Sequence, residues 1–252
     1  MKRATHLTLL VVLFVVVWPV QGQTPTTSAD YVNRGITRYN KHDYDGAIAD
    51  YTKAIEIDPR NASAYENRGD ARDGKDDLDG AMADYTKAIE VNPQFALAYY
   101  SRGVARNAKG DHDGAISDYT KAIEFNPQFA YAYCFRGMSR YAKGDHDGAI
   151  ADSTQAIGID PRYALAYYVR GAARHGKGDD DGAIADYTKA IEVDSKFAPA
   201  YALRGLALLF KWQDQEAERD LKKAIELDAT LKPGIEESAN RIKQTRKTTP
   251  KP

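Results

Sequence analysis

The chain has 252 residues, with 35 Lys or Arg and 36 Asp or Glu, for a formal net charge of −1 at pH 7. This balance offers no broad basic surface and therefore argues against nucleic-acid binding. Cys134 is the single cysteine, so the chain cannot form an internal disulfide.

Residues 1–22 have the pattern of a secretory signal peptide. Two basic residues are followed by an apolar run from Leu7 to Val20, with small residues before a cut after Gly22. This run is shorter than the roughly 20 residues that span a bilayer. We therefore expect an exported protein, with an uncleaved membrane anchor as the alternative. Residues 23–27 form a short predicted linker.

A sequence of seven residues recurs along most of the chain. Asp-Tyr-Thr-Lys-Ala-Ile-Glu occupies 50–56, 84–90, 118–124 and 186–192, and an altered copy stands at 152–158. Successive copies are offset by 34 residues, which indicates one supersecondary unit stacked on itself. Alignment on this period gives six units: 28–61, 62–95, 96–129, 130–163, 164–197 and 198–231.

Certain places in the unit hold the same residue type throughout. The fourth place is Tyr, the eighth is Gly and the twentieth is Ala in all six units, and the thirty-second is Pro in four. This pattern resembles the tetratricopeptide repeat over 28–231. The resemblance implies an all-α fold, a right-handed helical solenoid of helix–turn–helix units. It also implies one continuous repeat domain.

Each unit is predicted to contain two helices. Helix A should run from about the second to the fourteenth residue. Asp at the sixteenth place, as in Asp111, can accept hydrogen bonds from the free N–H groups of helix B. Pro near the end of a unit, as in Pro127, should stop helix B.

Arg at the seventh place and Asp at the twenty-third recur in every unit, for example as Arg102 and Asp118. We interpret them as a ladder of ion pairs between helix A and helix B. The alternative is a row of arginines that binds an anionic ligand. The resemblance favours the ladder, because the family's seventh place faces the helix pair.

The C-terminal end needs a cap, since a solenoid otherwise exposes an apolar end. A capping helix is predicted at 232–247, followed by a disordered basic tail at 248–252. Helix A of the sixth unit, around Leu206 to Phe210, is apolar nearly all round. Burial under the capping helix explains this, and a dimer contact is the alternative.

No catalytic motif is present. The sequence has no Ser/His/Asp pattern, no Gly-rich phosphate loop and no Cys-x-x-Cys. The Asp-x-Asp-Gly segments, such as the one ending at Gly114, lack the Glu six places later that a calcium loop requires. We expect no enzyme activity, no cofactor and no metal.

The resemblance implies a concave inner wall built from helix A, chiefly its second, fifth, sixth, ninth, twelfth and thirteenth residues. In this chain the wall should be an apolar, aromatic trough from the third unit onward, with an acidic patch at its mouth in the second. The predicted partner-binding residues are Tyr39, Glu66, Asp70, Tyr100, Val104, Tyr131, Phe135, Met138, Tyr141, Tyr168 and His175.

These features predict a non-catalytic scaffold or adaptor that binds a peptide or protein partner in its groove. The alternatives are a self-assembling structural protein, as a homo-oligomer, and a non-catalytic subunit of an envelope enzyme complex. The expected location is the bacterial periplasm or outside the cell, with membrane contact only through an uncleaved signal segment.

Overall fold

The computed structural model describes residues 25–248. The predicted signal peptide, the first two linker residues and residues 249–252 lie outside this range. The described residues form thirteen α-helices and one short 3-10 helix at Ala229–Leu231, with no strand. The helices are α1 Ser28–Tyr39, α2 Tyr44–Ile57, α3 Ala62–Asp73, α4 Leu78–Val91, α5 Ala96–Ala108, α6 His112–Phe125, α7 Ala130–Ala142, α8 His146–Ile159, α9 Ala164–Gly176, α10 Asp180–Val193, α11 Ala198–Phe210, α12 Asp214–Leu227 and α13 Lys232–Thr248.

Helices α1 to α12 pack as consecutive pairs, and each pair then packs on the next. The odd-numbered helices also contact one another from α1 through α13, whereas the even-numbered helices make no comparably close contacts with one another. The odd-numbered row therefore lies on the inside of a curved stack. This arrangement confirms the all-α repeat solenoid. No helix within residues 25–248 is long and apolar enough to cross a membrane.

The turn between the two helices of a pair is set by local chemistry. Asp111 caps α6 by accepting a hydrogen bond from the Gly114 N–H at 2.9 Å, and its counterparts cap α2, α4, α8 and α10. The odd-numbered helices of the repeats end at the twelfth or thirteenth place, earlier than predicted. The reason is the fifteenth place, where Gly110 has a φ of 81°. A left-handed residue there cannot continue a right-handed helix.

The invariant glycine at the eighth place makes room for an aromatic ring of the paired helix. A Cβ added to Gly103 would lie 2.7 Å from Cε1 of Tyr119, whose ring is fully buried. In the fourth unit Ser153 replaces that tyrosine, and the nearest atom to a Cβ on Gly137 is 3.2 Å away. Close packing on tyrosine thus explains the glycine in the other repeats that carry this ring.

We expect Gly103→Ala to lower the melting temperature, while Gly137→Ala leaves it nearly unchanged. The added methyl group on Gly103 overpacks the helix pair, at a cost of roughly 1–3 kcal/mol, and the helix preference of alanine offsets only about 1 kcal/mol of that. Thermal denaturation followed by circular dichroism measures both. Equal shifts in the two variants would contradict the packing argument.

The ladder of Arg–Asp pairs is present in each of the helix pairs from α1–α2 to α11–α12. The seventh-place arginine donates from Nε and Nη2 to both carboxylate oxygens of the twenty-third-place aspartate, at 2.5–3.0 Å. Its guanidinium also lies 5.2–5.7 Å from the centre of the fourth-place tyrosine ring. These contacts explain three of the recurring residues as structural.

The structure adds two partners that the sequence did not indicate. Arg106, at the eleventh place, donates from Nη1 to Asp118 at 2.8 Å, and the same second arginine recurs in the first five repeats. Thr86 accepts a hydrogen bond from Nη1 of Arg102, which belongs to the following repeat. The ladder therefore links neighbouring repeats as well as paired helices.

Helix α13 covers the C-terminal end of the stack. Leu208 and Leu209 of α11 pack with Ala239 of α13, as a capping helix requires, whereas Phe210 at the end of α11 stays 51% exposed. Arg246 lies 3.8 Å from the centre of the Trp212 ring and donates to the Leu209 carbonyl at 3.1 Å. Thr248, predicted as the first residue of the tail, lies within this helix.

Candidate functional site

A cavity of ≈ 260 Å³ opens on the inner side of the stack, where the first three repeats meet. Five of the predicted binding residues line it, from α1, α3 and α5. They are Tyr39, Glu66, Asp70, Tyr100 and Val104. Four further residues complete the lining: Asp73, Tyr85, Leu97 and Ser101. We call this space the acidic cavity.

Glu66 lies inside the cavity wall and is only 3% exposed. Glu66 is therefore not part of an open mouth as the sequence predicted, whereas Asp70 is only partly buried. The Ser101 hydroxyl donates to Glu66 Oε1 at 3.2 Å, and the Tyr85 hydroxyl donates to Asp70 Oδ1 at 2.8 Å. Both donors are neutral, so nothing in these contacts balances the carboxylate charge.

Burial raises the pKa of Glu66 and Asp70. Loss of hydration disfavours the charged form, and it raises the pKa of Glu66 to about 8, with the nearby Asp70 carboxylate adding to the effect. The pKa of Asp70 is also raised by burial, although the Tyr85 hydrogen bond opposes the rise. The pKa of Asp73 is raised for the same reason.

Aromatic rings extend from the acidic cavity into the fourth repeat. The Tyr100 ring centre lies 5.0 Å from that of Phe129 and 5.5 Å from that of Phe135, and it also contacts Tyr119. Tyr100 and Phe135 are thus packed against other rings over much of their surface. They support the inner wall more than they present a free contact surface.

Two other predicted tyrosines remain open. Tyr131 is 50% exposed with one face against Tyr163, at 4.8 Å between ring centres, and Tyr141 is 40% exposed beside His146. Leu97, at the edge of the acidic cavity, is likewise exposed. All three belong to the inner helices α5 and α7 and leave apolar surface exposed on them.

The remaining predicted residues lie apart from the acidic cavity. Met138 and Tyr168 pack against the buried cluster around Cys134, and Tyr168 also contacts Phe197 at 5.4 Å between ring centres. His175 lines a separate cavity of ≈ 380 Å³ near α13, where its Nδ1 lies 2.6 Å from Asp180. The eleven residues therefore do not converge on one site.

Asp73 and Leu97 occupy the twelfth and the second place of their repeats, which the resemblance assigns to the inner wall. Ser101 and Tyr85 were missed by the sequence reasoning, although both had a signal. Ser101 occupies the sixth place of its repeat, which the resemblance assigns to the inner wall. Tyr85 belongs to the even-numbered helix α4, and its hydroxyl reaches the inner side because the Gly69 gap admits the ring. No group of three His, Cys, Asp or Glu side chains in residues 25–248 is arranged to hold a metal ion.

Sequence profiles and solved structures agree with this architecture. Profiles described as TPR repeat match residues 35–72, 75–110 and 137–178, and profiles described as tetratricopeptide repeat match 96–129, 164–197 and 198–231. The crystal structure of MamA protein is 31% identical, with a TM-score of 0.58 over 67% of this chain and 92% of that one. The chain belongs to the tetratricopeptide repeat family.

Two less similar structures show the fold alone. The crystal structure of YrrB, described as a TPR protein with an unusual peptide-binding site, is 23% identical over 77% of this chain and 97% of that one, with a TM-score of 0.61. A tetratricopeptide repeat protein from Parabacteroides merdae is 24% identical over 85% and 84%, with a TM-score of 0.64. Comparison with curated proteins gave no significant match. Proteins of this family are in general non-catalytic scaffolds for protein interactions.

Proposed function

We propose that this protein is a non-catalytic scaffold that holds a peptide or protein partner against the inner side of its helical stack. The observation that carries the proposal is the exposure of Tyr131 and Tyr141 on the inner helix α7. Most other inner-wall aromatics are packed against rings of this chain. Exposed tyrosines beside a groove are the type of side chain that anchors protein partners.

The shape of the inner wall favours an extended segment or an amphipathic helix. The acidic cavity and the exposed tyrosines occupy successive repeats along the wall, so one partner segment can contact both. Such grooves bind segments through a few anchoring side chains. The description of YrrB as having a peptide-binding site supports the same use of the fold.

The proposed setting is the bacterial cell envelope. Residues 1–22 carry the signal-peptide pattern, which supports export to the periplasm or secretion. The partner would then be a protein of that compartment. Membrane contact would arise only through an uncleaved signal segment, and the charge balance supports no role for nucleic acid.

The test is binding by a variant that removes the exposed rings. We expect Tyr131→Ser with Tyr141→Ser to weaken partner binding at least about tenfold, with the helix content unchanged. Partners are captured from an envelope extract with residues 23–252, identified, and then titrated as purified proteins. Tyr100 and Tyr168 are unsuitable for this test because their rings pack within the stack.

A matched control is Ile57→Ser with Val193→Ser, which removes two exposed apolar side chains from the even-numbered helices α2 and α10. This variant should bind like the parent. Equal binding by all three proteins would mean that the inner wall is not the partner site.

A second candidate function is end-to-end self-assembly. Between α12 and α13 lies a groove of ≈ 830 Å³ whose lining includes the partly buried Leu221 and Ile225. An additional helix from another copy would cover these side chains, as one repeat covers the next. Chain mass in solution at rising concentration distinguishes assembly from a monomeric scaffold.

A non-catalytic subunit of an envelope enzyme complex differs from the first proposal only in the identity of the partner.

A further inference from the structure

The buried carboxylates of this chain fall into two groups. Six buried aspartates, one in each repeat, accept hydrogen bonds from an arginine in the ladder. Glu66 is as buried as these aspartates but forms no ion pair with any residue in 25–248. A buried carboxylate without a cation is costly, because neither water nor an opposite charge stabilises it.

The unpaired part of Glu66 belongs to the acidic cavity. Its Oε1 accepts one hydrogen bond from Ser101, and no donor in the described part of the chain reaches Oε2. The residue lines the cavity while being nine-tenths buried or more. Asp70 and Asp73 line the same cavity, and neither forms an ion pair with a Lys or Arg of residues 25–248. The cavity therefore holds three carboxyl groups that no cation of the described residues pairs with.

The lining fits an organic cation better than a metal ion. Metal binding requires several ligands within about 2–2.6 Å of one point, and no such group of side chains exists among residues 25–248. Tyr39, Tyr85 and Tyr100 also line the cavity, and aromatic rings attract ammonium and guanidinium groups. Leu97 and Val104 supply apolar surface for an aliphatic stem.

The size agrees with this class of ligand. The cavity of ≈ 260 Å³ is several times larger than the roughly 30 Å³ that one water occupies. It therefore has room for the charged end of a long side chain. Leu97 is exposed at the edge of the acidic cavity.

We propose that the acidic cavity is a specificity pocket for one Lys or Arg side chain of the partner. The basic group would pair with Glu66 and Asp70, and its stem would lie against Leu97 and Val104. This inference rests on the proposed function, because it assumes that the partner segment lies along the inner wall. It adds that the partner carries a basic residue there.

The acidity of the pair supports this assignment. Burial raises the pKa of both Glu66 and Asp70, so a cation that enters should lower both values and release protons. The titratable groups that face the pair are Tyr39, Tyr51, Asp73, Tyr85 and Tyr100, from α1 to α5, and none is basic.

The probes for the test are single capped amino acids, which need no knowledge of the partner. N-acetyl-lysine methylamide and N-acetyl-arginine methylamide present the charged side chains, and N-acetyl-norleucine methylamide presents an uncharged chain of similar length. Titrations of residues 23–252 are followed by NMR shifts of the cavity residues. We expect at least one charged probe to bind about tenfold or more tightly than the norleucine probe.

The variant for the test is Glu66→Gln with Asp70→Asn, which keeps the side-chain shapes and removes both charges. It should lose the preference for the charged probes. The control is Glu56→Gln with Glu90→Gln, which changes net charge equally at exposed positions and should bind like the parent. Circular dichroism checks that all three proteins fold alike.

Several outcomes would overturn the proposal. These are no binding of either charged probe, equal binding of the norleucine probe, or an unchanged preference in the cavity variant. Binding of spermidine without either charged probe would assign the cavity to free polyamines instead. If neither charged probe binds but the Tyr131/Tyr141 variant still loses its partner, the specificity pocket is refuted and the proposed function stands. Probe binding with no effect of that variant on partner binding would refute the proposed function alone.

Discussion

Replacement of Asp118 by alanine is expected to lower the melting temperature by roughly 10 °C. Asp118 is buried and accepts hydrogen bonds from Arg102 and Arg106. Removing one partner of a buried ion pair costs roughly 3–5 kcal/mol, because the remaining charge stays buried and unpaired. A protein of this size loses about 2–4 °C for each kcal/mol. Thermal denaturation followed by circular dichroism measures the change.

Asp113→Ala provides a matched control for this prediction. Asp113 is exposed and pairs with Lys143 on the surface. Surface ion pairs contribute about 0–1 kcal/mol, so the melting temperature should change by only a few degrees. If Asp118→Ala and Asp113→Ala had equal melting temperatures, the ladder would not be a source of stability.

The second large effect concerns pH, and it comes from the acidic cavity. In the unfolded chain Glu66 loses its proton near the ordinary Glu pKa of about 4.3, whereas burial in the folded protein raises its pKa to about 8. Between these values the folded state binds more protons than the unfolded state. Stability therefore falls as the pH rises from about 4 to 8, and the loss is complete above the folded pKa.

We expect Glu66→Gln to remove this part of the pH dependence. Near pH 5 the variant and the parent should melt at similar temperatures, because Glu66 is then neutral in the folded protein. At pH 8.5 the variant should melt higher, on the order of 5 °C or more. Melting curves across this range, read as the difference between variant and parent, isolate the contribution of this one group.

Glu56→Gln is the control, since Glu56 is exposed and pairs with Lys53 on the surface. Its difference from the parent should not rise between pH 5 and 8.5. If the difference in melting temperature between Glu66→Gln and the parent also stayed constant from pH 5 to 8.5, Glu66 would titrate like an exposed carboxylate. A variant that melted below the parent at pH 8.5 would instead show that the charged form stabilises the fold.

Both effects connect the stability of the stack to its proposed use. The ladder links each repeat to the next through Arg102 and its counterparts, so it holds the inner helices in register. The acidic cavity lies where three repeats meet and leaves a carboxylate unpaired. A partner cation that paired with Glu66 would relieve the cost of burying its charge and so stabilise these repeats.

The sequence by itself determined the repeating part of this protein. The period, the helix-capping aspartates and the Arg102–Asp118 pairing could be predicted because each depends on residues within one 34-residue unit. The gap at Gly103 likewise depends on a residue of the same unit, the Tyr119 ring. Local geometry and short-range hydrogen bonds are nearly identical from one copy to the next, so one unit describes them all.

Only the tertiary structure decided which inner-wall residues are available to a partner. Tyr100 and Tyr131 both occupy inner helices, yet Tyr100 packs among Phe129 and Phe135 while Tyr131 remains half exposed. Glu66 was expected at an open surface and is buried, with its carboxylate against Ser101 of the following repeat. Exposure and charge balance depend on contacts between repeats, and these change wherever neighbouring copies differ in sequence.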